Sequence, residues 1–257
     1  MKTNQVLTIL SDISGPHVAR IIADAVPHMS RWRLWRICRK LRHGVPVAKI
    51  IHNKWFYGFG FYTNKWTLDP RPDTETLVST VLDDYKGIKN IAIADLGTGT
   101  GCIICAIAKN MPGVAGVALD KSRRALRVAR KNVRDLGLVN KIVLKYGDFK
   151  NPKMLLENSV DVIVSNPPYI DKNDARVDVG AMHDPKMALF AKHNGLAAYE
   201  QIAQNAKIWL REFGRIYLEI GIGMETDVRN IFENNGWKFI KSVNDLGGIT
   251  RVLVFEN

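Results

Sequence analysis

Residues 94–102 read ADLGTGTGC, and this stretch decides the fold of the chain. It closes an apolar run, residues 91–97, that has the character of a buried strand. The loop holds three glycines at alternate positions, which let the backbone turn sharply and approach a ligand without Cβ clashes: Gly97, Gly99 and Gly101. A helix predicted over residues 102–110 points its positive N-terminus at the same place. A strand, a glycine loop and a helix in this order predict a ligand site at the end of the strand.

The alternation of strand and helix continues to the end of the chain. Helices are predicted within residues 69–85 and over 122–136, 195–211 and 224–235, and strands over 91–97, 114–120, 141–148, 160–166, 215–221, 237–243 and 250–256. Continuous apolar strands that alternate with helices indicate a parallel sheet covered on both faces. Residues 244–248 are too short for a helical crossover, so the final strand should be antiparallel. The predicted fold is α/β, with a Rossmann-like, mostly parallel sheet and an antiparallel last strand.

The first part of the chain has a different pattern of apolar residues from the rest. Its apolar residues fall at helical spacing in three stretches: residues 6–13, 17–26 and 30–42. Pro16 ends the first of these predicted helices. The segment that follows is rich in glycine and aromatic residues and predicts a β-hairpin-like connector. The chain therefore divides into a small helical region, the connector and one large domain: residues 1–43, 44–68 and 69–257.

A strong positive charge is concentrated near the start of the chain. The formal net charge is +12, and residues 1–65 contribute +9 of it, because they hold eleven basic residues against Asp12 and Asp24. Such a region predicts an acidic partner, either nucleic acid or a ribonucleoprotein, and the alternative is a solvated basic surface. Trp32 and Trp35 lie among the basic residues. We expect them to pack on a neighbouring domain, with stacking on bases as the alternative.

The three cysteines, Cys38, Cys102 and Cys105, do not indicate disulfides or a metal site. Their number is odd and their spacing is not that of a disulfide framework, as expected for a protein of a reducing compartment. Cys102 and Cys105 form a CxxC at the start of an apolar helix, so we expect core packing and no metal. We find no apolar run long enough to cross a bilayer, and we expect no membrane association. Asp12, Asp24 and the lack of a clear cleavage site favour the cytoplasm over an organelle.

The glycine loop fits one of the ligand classes that use such loops. A dinucleotide fingerprint beginning at Gly97 would require glycine or alanine where Cys102 stands, and no G-K-[ST] follows as in a P-loop. The form G-x-G-x-G after Asp95 resembles the first motif of class I S-adenosylmethionine (SAM) methyltransferases. SAM is therefore the expected cofactor.

Two acidic residues follow the next two strands at the same edge of the sheet. Asp120 ends the second strand, where a carboxylate can accept both hydroxyls of a ribose. Asp148 ends the third strand and can accept from the adenine amino group, with Phe149 lying on the ring. The expected cofactor-binding residues are Gly97, Thr98, Gly99, Thr100, Gly101, Asp120, Asp148, Phe149 and Asn166.

The fourth strand ends in Asn166-Pro167-Pro168-Tyr169, written NPPY below, beside the expected position of the sulfonium. A planar amide or aryl-amine nitrogen is a poor nucleophile because its lone pair is delocalised. Acceptors for both of its N–H groups would orient the lone pair and stabilise the charge that develops on nitrogen. Asn166 offers its amide oxygen, Pro167 a backbone carbonyl held by proline geometry, and Tyr169 a flat wall. We therefore predict Asn166, Pro167 and Tyr169 as catalytic, and all four residues as substrate-binding.

The motif [D/N]-P-P-[Y/F/W] after a fourth strand resembles the amino-methyltransferases that act on adenine, guanine or glutamine amide nitrogens. Six stretches resemble, in order, the HemK/PrmC family: RHGVPVAKI, DPRPDTETLV, ADLGTGTG, SNPPYI, HDPKMALFAKHNGLAAYEQI and GGITRVLVFE. The resemblance covers about residues 43–256. It implies methylation of the glutamine in the Gly-Gly-Gln loop of peptide chain release factors. It further implies that Gly97–Gly101, Asp120, Phe149 and Asn166 contact SAM, and that NPPY holds the glutamine.

The sequence departs from the family pattern in three places. Its start is shorter than the family's usual helical N-terminal domain, which helps to dock the release factor, and residues 1–43 are expected to dock it here. Asp69 stands where an apolar residue is common, and Asn194-Gly195 stands where Asp-Gly is common. Three polar residues are expected to shape the site entrance: Arg71, Asp73 and Glu75.

Two further functions stay open on the residues alone. A nucleic-acid base methyltransferase, acting on an exocyclic nitrogen of adenine or guanine, would use the same NPPY and the basic start of the chain. A non-catalytic SAM-binding adaptor of a ribonucleoprotein would account for the shortened start. NPPY by itself does not choose between an amide and a base.

Overall fold

Three helices and a small hairpin form the first part of the computed structural model, which describes residues 3–171 and 183–257. Their bounds are α1 (Thr3–Ala25), α2 (Arg31–Arg42), α3 (Val47–Ile51), β1 (Lys54–Phe56) and β2 (Phe59–Phe61). α1 consists of two helical pieces that meet at Gly15, whose φ of 81° and ψ of 159° are not helical. Pro16 follows, and proline lacks the N–H that a continuous helix needs. The two helices predicted on either side of Pro16 are therefore present as one kinked helix.

The helices of this part share a small core of their own. α1 contributes Leu10 and Ile22, α2 contributes Ile37, and α3 contributes Ile50. By length and composition Asn4–Ala25 would suffice to cross a membrane, so the expectation that the sequence holds no such run is wrong. One such helix near an N-terminus is weak support for a membrane span. Leu10 and Ile22 are fully buried in the small core of this part, although only 22% of the membrane-length window is buried.

The rest of the described structure alternates strands and helices, as predicted. Its strands are β3 (Ala92–Leu96), β4 (Ala115–Asp120), β5 (Ile142–Tyr146), β6 (Val160–Ser165), β7 (Ile170–Asp171), β8 (Phe190–Ala191), β9 (Leu210–Glu219), β10 (Lys238–Asn244) and β11 (Thr250–Glu256). Its helices are α4 (Thr74–Asp84), α5 (Cys102–Asn110), α6 (Arg123–Asp135), α7 (Lys186–Leu189), α8 (Ala197–Trp209) and α9 (Glu225–Asn234), with a 3₁₀ turn at Pro152–Met154. The short elements β7, α7 and β8 were not predicted, because two-residue strands and a one-turn helix leave no periodic pattern.

Seven strands form the main sheet in the order β10-β11-β9-β6-β3-β4-β5. β3, β4, β5, β6 and β9 pair in parallel, while β11 is antiparallel to both β9 and β10. The prediction of a mostly parallel sheet with an antiparallel last strand is confirmed. The polypeptide runs outward from β3 to β5 and then returns to place β6 on the other side of β3. The carboxyl ends of β3 and β6 therefore flank the topological switch point, where ligands bind in such sheets.

Helices cover both faces of this sheet. On β3, Ile93 points to the face covered by α4 and α5, and Ala94 points to the face covered by α8 and α9. The paired cysteines of α5 lie in the first of these cores, since Cys102 is 8% exposed and Cys105 fully buried. Their predicted core packing is confirmed.

The predicted packing of the two α2 tryptophans on a neighbouring domain is wrong. Trp32 is 65% exposed and Trp35 is 54% exposed. Arg36 lies over the Trp32 ring, 4.6 Å from its centroid, and Arg39 lies over Trp35 at 5.0 Å. The reason is the helical period, because α2 turns its apolar face, which includes Ile37, toward α1 and α3 and leaves the tryptophans on the opposite side.

Candidate active site

The glycine loop after β3 folds back on the end of β4. Gly97, Gly99 and Gly101 have φ values of 75°, 57° and 80°, a region that residues with a Cβ rarely adopt. The backbone N–H groups of Gly97 and Thr98 both donate to the carbonyl of Leu119, each at 2.9 Å. Gly101 is the N-cap of α5. The loop therefore ends where the positive end of that helix begins.

Asp95 supports the loop from the end of β3. Its carboxyl group is fully buried, and the Thr98 hydroxyl donates to Asp95 Oδ2 at 2.6 Å. The other oxygen, Oδ1, has no hydrogen-bond partner among the residues that the structure describes. Burial raises the pKa of Asp95 to about 7, although the Thr98 hydroxyl acts in the opposite direction. Asp95 is not among the residues that line the cleft described below, so it supports the loop from behind.

Asp120 closes the loop from the carboxyl end of β4. Its Oδ2 accepts from the Gly99 N–H at 2.9 Å, and its Oδ1 accepts from the Ser122 N–H at 2.7 Å. Burial raises the pKa of Asp120, and the two backbone donors act against that rise. Each carboxylate oxygen keeps a further lone pair. The carboxylate is thus held in place and can still accept from two adjacent hydroxyls.

The residues after β5 form the next part of the wall. Phe149 is 8% exposed, and the half-buried Asp148 accepts from the Lys150 N–H at 3.1 Å. Gly147 is tightly packed, because a Cβ there would lie only 1.8 Å from Met154 Sδ. The segment offers an aromatic ring with a carboxylate beside it, as an adenine site requires.

One cleft at the carboxyl edge of the sheet collects these residues. Its open space, including the solvent at its mouth, is about 930 Å³. Most of the predicted cofactor residues line it: Gly97, Thr98, Gly99, Thr100, Asp120, Asp148, Phe149 and Asn166. Gly101 is not among the lining residues and packs near Ala129. Pro168 lines the cleft, whereas Pro167 and Tyr169 do not.

The Asn166 amide is held by a residue from another element. Its Nδ2 donates to Thr74 Oγ1 at 3.1 Å. Thr74 is the first residue of α4 and is 2% exposed. Because Nδ2 is engaged by Thr74, Oδ1 is the amide atom left to accept from a substrate.

Tyr169 contacts the sheet behind the cleft. Its hydroxyl donates to Glu219 Oε1 at 3.4 Å, and a Cβ on Gly221 would lie 2.9 Å from its ring. Burial raises the pKa of Tyr169, and the neighbouring Glu219 raises it further. The phenol therefore stays protonated and serves as a donor. Its role as a flat wall against the substrate stays a prediction.

Thr74 and Glu219 take part in the site although neither was predicted from the sequence. Glu219 ends β9, is 1% exposed, and stands at the same edge of the sheet as Asp120 and Asn166. A signal for it exists in the sequence, because an acid inside the apolar stretch 216–220 (IYLEI) is unexpected in a buried strand. Thr74 carries no such signal, since a threonine near a helix start is ordinary.

The three polar residues expected at the site entrance have separate partners. Arg71 lines the cleft and donates from Nη2 to Asp184 Oδ2 at 3.0 Å. Asp73 pairs with Arg251 of β11 at 2.9 Å. Glu75 accepts from a backbone N–H in the β1–β2 turn at 2.8 Å. Asp73 and Glu75 thus hold the start of α4 in place, and Arg71 alone of the three lines the cleft.

The fold and the cleft define a class I SAM-dependent methyltransferase. The Methyltransferase small domain family matches residues 68–184. A SAM-dependent methyltransferase from Aquifex aeolicus shares the fold, with a TM-score of 0.51 and 18% identity over 72% of this chain and 93% of that one. The cofactor of this class is SAM.

Closer relatives narrow the class to one family. The chain is 37% identical over 236 residues to the release factor glutamine methyltransferase of Agrobacterium fabrum, covering 87% of this chain and 78% of that protein. It is 36% identical over 230 residues to the protein of the same name from Neisseria gonorrhoeae, covering 89% and 83%. The chain belongs to the release factor glutamine methyltransferase family.

Proposed function

We propose that this enzyme methylates the side-chain amide nitrogen of the glutamine in the Gly-Gly-Gln loop of a peptide chain release factor. The observation that supports this is the hydrogen bond from Asn166 Nδ2 to Thr74, which leaves Asn166 Oδ1 to accept a substrate N–H at the cleft. The names of its relatives favour glutamine as the owner of that nitrogen.

The cofactor would be held by the ends of β3, β4 and β5. Bound SAM supplies a methyl group on a positively charged sulfur. Asp120 would accept from both ribose hydroxyls, and Asp148 from the adenine amino group, while Phe149 packs on the ring. The glycine loop lets the backbone approach the ligand.

Asn166 and Pro167 would orient the substrate nitrogen. Asn166 Oδ1 accepts one amide N–H, and the backbone carbonyl of Pro167 accepts the other, so that the nitrogen lone pair faces the methyl group. When the methyl group passes to the nitrogen, the sulfur–methyl bond breaks and its electron pair stays on sulfur as a neutral thioether. Both acceptors would then stabilise the positive charge on nitrogen until one proton leaves to solvent. Pro168 would form part of the wall around the amide, and Tyr169, which does not line the cleft, would reach the substrate only by its ring.

The direct test is transfer of label from SAM to a release factor. The purified enzyme is incubated with methyl-labelled SAM and a release factor, and the loop glutamine is changed to alanine in a parallel sample. We expect label on the intact factor only. Label that persists without that glutamine would refute the proposed substrate atom.

The alternative function, a nucleic-acid base methyltransferase, is distinguished by which molecule carries the labelled methyl group. With release factor and RNA or DNA present together, protease-sensitive product supports glutamine and nuclease-sensitive product supports a base. No transfer to either, with tight binding of SAM, would favour the non-catalytic adaptor.

We also propose that the exposed face of α2 binds single-stranded RNA, which would bring the enzyme close to a ribosome. The α2 helix carries six basic residues and no acid: Arg31, Arg33, Arg36, Arg39, Lys40 and Arg42. Trp32 and Trp35 are one turn apart, and each has an arginine over one side of its ring. Indole rings offer stacking faces to bases, and the cations match a phosphate backbone.

A fluorescent single-stranded RNA tests this surface by anisotropy. Replacing both tryptophans, in Trp32→Ala/Trp35→Ala, should weaken binding about tenfold or more, since each stacked base contributes roughly 1–3 kcal/mol. The control is Trp55→Ala, because Trp55 is also exposed, at 69%, but lies in the hairpin. Equal RNA binding by both variants would refute the proposal, as would an acidic peptide that binds as tightly as the RNA.

A further inference from the structure

SAM carries an α-carboxylate at the end of its methionine chain, and a carboxylate that leaves water is best stabilised by a cationic donor. The charged residues that line the cleft are Asp69, Arg71, Asp120, Lys121 and Asp148. Among the residues that the structure describes, Arg71 and Lys121 are therefore the two cations of the cleft. The carboxylate of SAM has these two candidate partners.

The order of the strands distinguishes the two cations. Asp148 follows β5, Asp120 ends β4 and Asn166 follows β6, and the sheet order there is β6-β3-β4-β5. With adenine after β5 and ribose at β4, the sulfur lies toward β3 and β6, and the methionine chain continues away from β4. Lys121 directly follows Asp120, so it stands at the ribose end of the ligand.

Arg71 stands at the other end of the cleft, close to Asn166. The Arg71 carbonyl accepts from the Thr74 N–H at 3.2 Å, in the turn that begins α4. The Thr74 hydroxyl oxygen accepts from Asn166 Nδ2 at 3.1 Å. Two hydrogen bonds thus connect Arg71 to the residue expected beside the sulfonium, which is the end of the cleft that the methionine chain would enter.

An ion pair holds the Arg71 side chain at the cleft. Its Nη2 donates to Asp184 Oδ2 at 3.0 Å, and the Asp184 side chain is only 2% exposed. Lys49 Nζ lies 2.7 Å from the other oxygen of the same carboxylate. A guanidinium has five N–H donors in one plane, and the described residues take one of those of Arg71. The partly exposed side chain can therefore bind a second carboxylate with parallel hydrogen bonds while it keeps Asp184.

We propose that Arg71 binds the α-carboxylate of SAM and thereby sets the position of the methionine chain beside Asn166. The contact is an ion pair with the cofactor, and Arg71 takes no part in breaking or forming bonds. This rests on the proposed function only for the placement of ribose at Asp120 and of adenine after β5. It does not depend on which nitrogen receives the methyl group.

Two ligands isolate the contribution of the carboxylate. Decarboxylated SAM keeps the adenine, ribose, sulfonium and amino group and lacks only the carboxylate. Calorimetry without a release factor gives the dissociation constant of each ligand. The unchanged enzyme should bind SAM about 10–100-fold more tightly than decarboxylated SAM, as for hydrogen bonds between charged groups. In Arg71→Gln the affinity for SAM should fall by about the same factor, while the affinity for decarboxylated SAM should not fall.

Two further variants serve as controls. Lys121→Gln removes the other cation of the cleft and should keep the preference for SAM over decarboxylated SAM. Arg71→Lys keeps the charge but loses the planar pair of donors, so its preference should be intermediate. Undiminished binding of decarboxylated SAM by Arg71→Gln shows that this variant folds with an intact cleft.

Three results would overturn the proposal. The first is an undiminished preference for SAM in Arg71→Gln, and the second is equal weakening of both ligands in that variant. The third is loss of the preference in Lys121→Gln, which would place the carboxylate at the ribose end of the cleft. Failure of the unchanged enzyme to methylate a release factor would count against the proposed function alone, because the binding measurements contain no release factor.

Discussion

Lys49 Nζ lies 3.0 Å from Asp69 Oδ1 and 2.7 Å from Asp184 Oδ1, and Lys49 is only 4% exposed. Lys49 belongs to α3 of the helical part, whereas Asp69 lines the cleft and Asp184 precedes α7, whose Met187 and Ala188 also line it. One buried ammonium group thus ties the helical part to two sides of the cleft. It also explains why Asp69 stands where relatives were expected to have an apolar residue, because a buried lysine requires a carboxylate.

Replacing this lysine should destabilise the protein more than replacing any surface lysine. Lys49→Met leaves the buried Asp69 carboxylate without its cation and leaves Asp184 paired only with Arg71, which should lower the free energy of unfolding by about 3–5 kcal/mol. Urea unfolding measures the change. Lys131→Met is the control, since the contacts of Lys131 are an exposed pair with Asp135 and a position over the Tyr62 ring, and its loss should cost roughly 1 kcal/mol or less. Equal losses of the free energy of unfolding in Lys49→Met and Lys131→Met would contradict a stabilising role for the buried Lys49.

The Asn166 side chain should matter for the rate far more than for folding. Asn166→Ala removes the predicted acceptor of the substrate N–H, and we expect kcat to fall about 10²–10³-fold, as when one oriented group of a charge-stabilising site is removed. Label transfer from SAM to release factor measures the rate, and thermal unfolding checks the fold. The control is Asn158→Ala, in the loop before β6 and outside the cleft. A rate within twofold of the unchanged enzyme would exclude Asn166 from catalysis.

Asp120 should determine cofactor affinity. Asp120→Ala removes an acceptor for two ribose hydroxyls and releases the Gly99 N–H, so SAM should bind about 10–100-fold more weakly, as for hydrogen bonds to a charged group. Isothermal titration calorimetry with SAM gives the dissociation constant. Asp135→Ala, a change of an exposed aspartate on α6, should leave it unchanged. If Asp120→Ala binds SAM normally, the ribose lies elsewhere.

The ligand-free enzyme should become less stable as the pH rises from about 4 to 8. Burial raises the pKa of Asp95 to about 7, so the folded state holds a proton that the unfolded state has released. The stabilisation is complete below the ordinary aspartate pKa and is lost as the pH passes 7, with a slope of at most about 1.4 kcal/mol per pH unit for one group. Glu219 adds a contribution of the same sign.

Thermal unfolding without SAM, measured between pH 5 and pH 8, checks this dependence. Asp95→Asn should flatten the profile and raise the melting temperature at pH 8, because the neutral amide avoids burial of a charge. Carboxyl groups with lowered pKa values, such as Asp245 and Glu256, affect stability only at lower pH. If the melting temperature of Asp95→Asn changes with pH as steeply as that of the unchanged enzyme, Asp95 does not cause the pH dependence of stability.

Much of the cleft could be predicted because the pattern of β3, β4 and β6 is local. Apolar runs of strand length, a glycine loop and a helix start are read within a few residues, and parallel strands bring their carboxyl ends to one edge by geometry alone. Gly97, Asp120 and Asn166 could therefore be assigned to one site. The exposure of Trp32 could not be predicted, because the sequence marks an apolar stripe on α2 but does not say what else will cover the other side.

By itself, the sequence determined the α/β class, the order of strands and helices, and the edge of the sheet at which the ligand residues gather. Packing between distant elements brings Thr74 to Asn166, Glu219 to Tyr169, and Asp184 to Lys49. These partners lie tens to more than a hundred residues apart in the sequence. Helix and strand patterns come from neighbouring residues, whereas the partner of a buried polar group is settled by packing between distant elements.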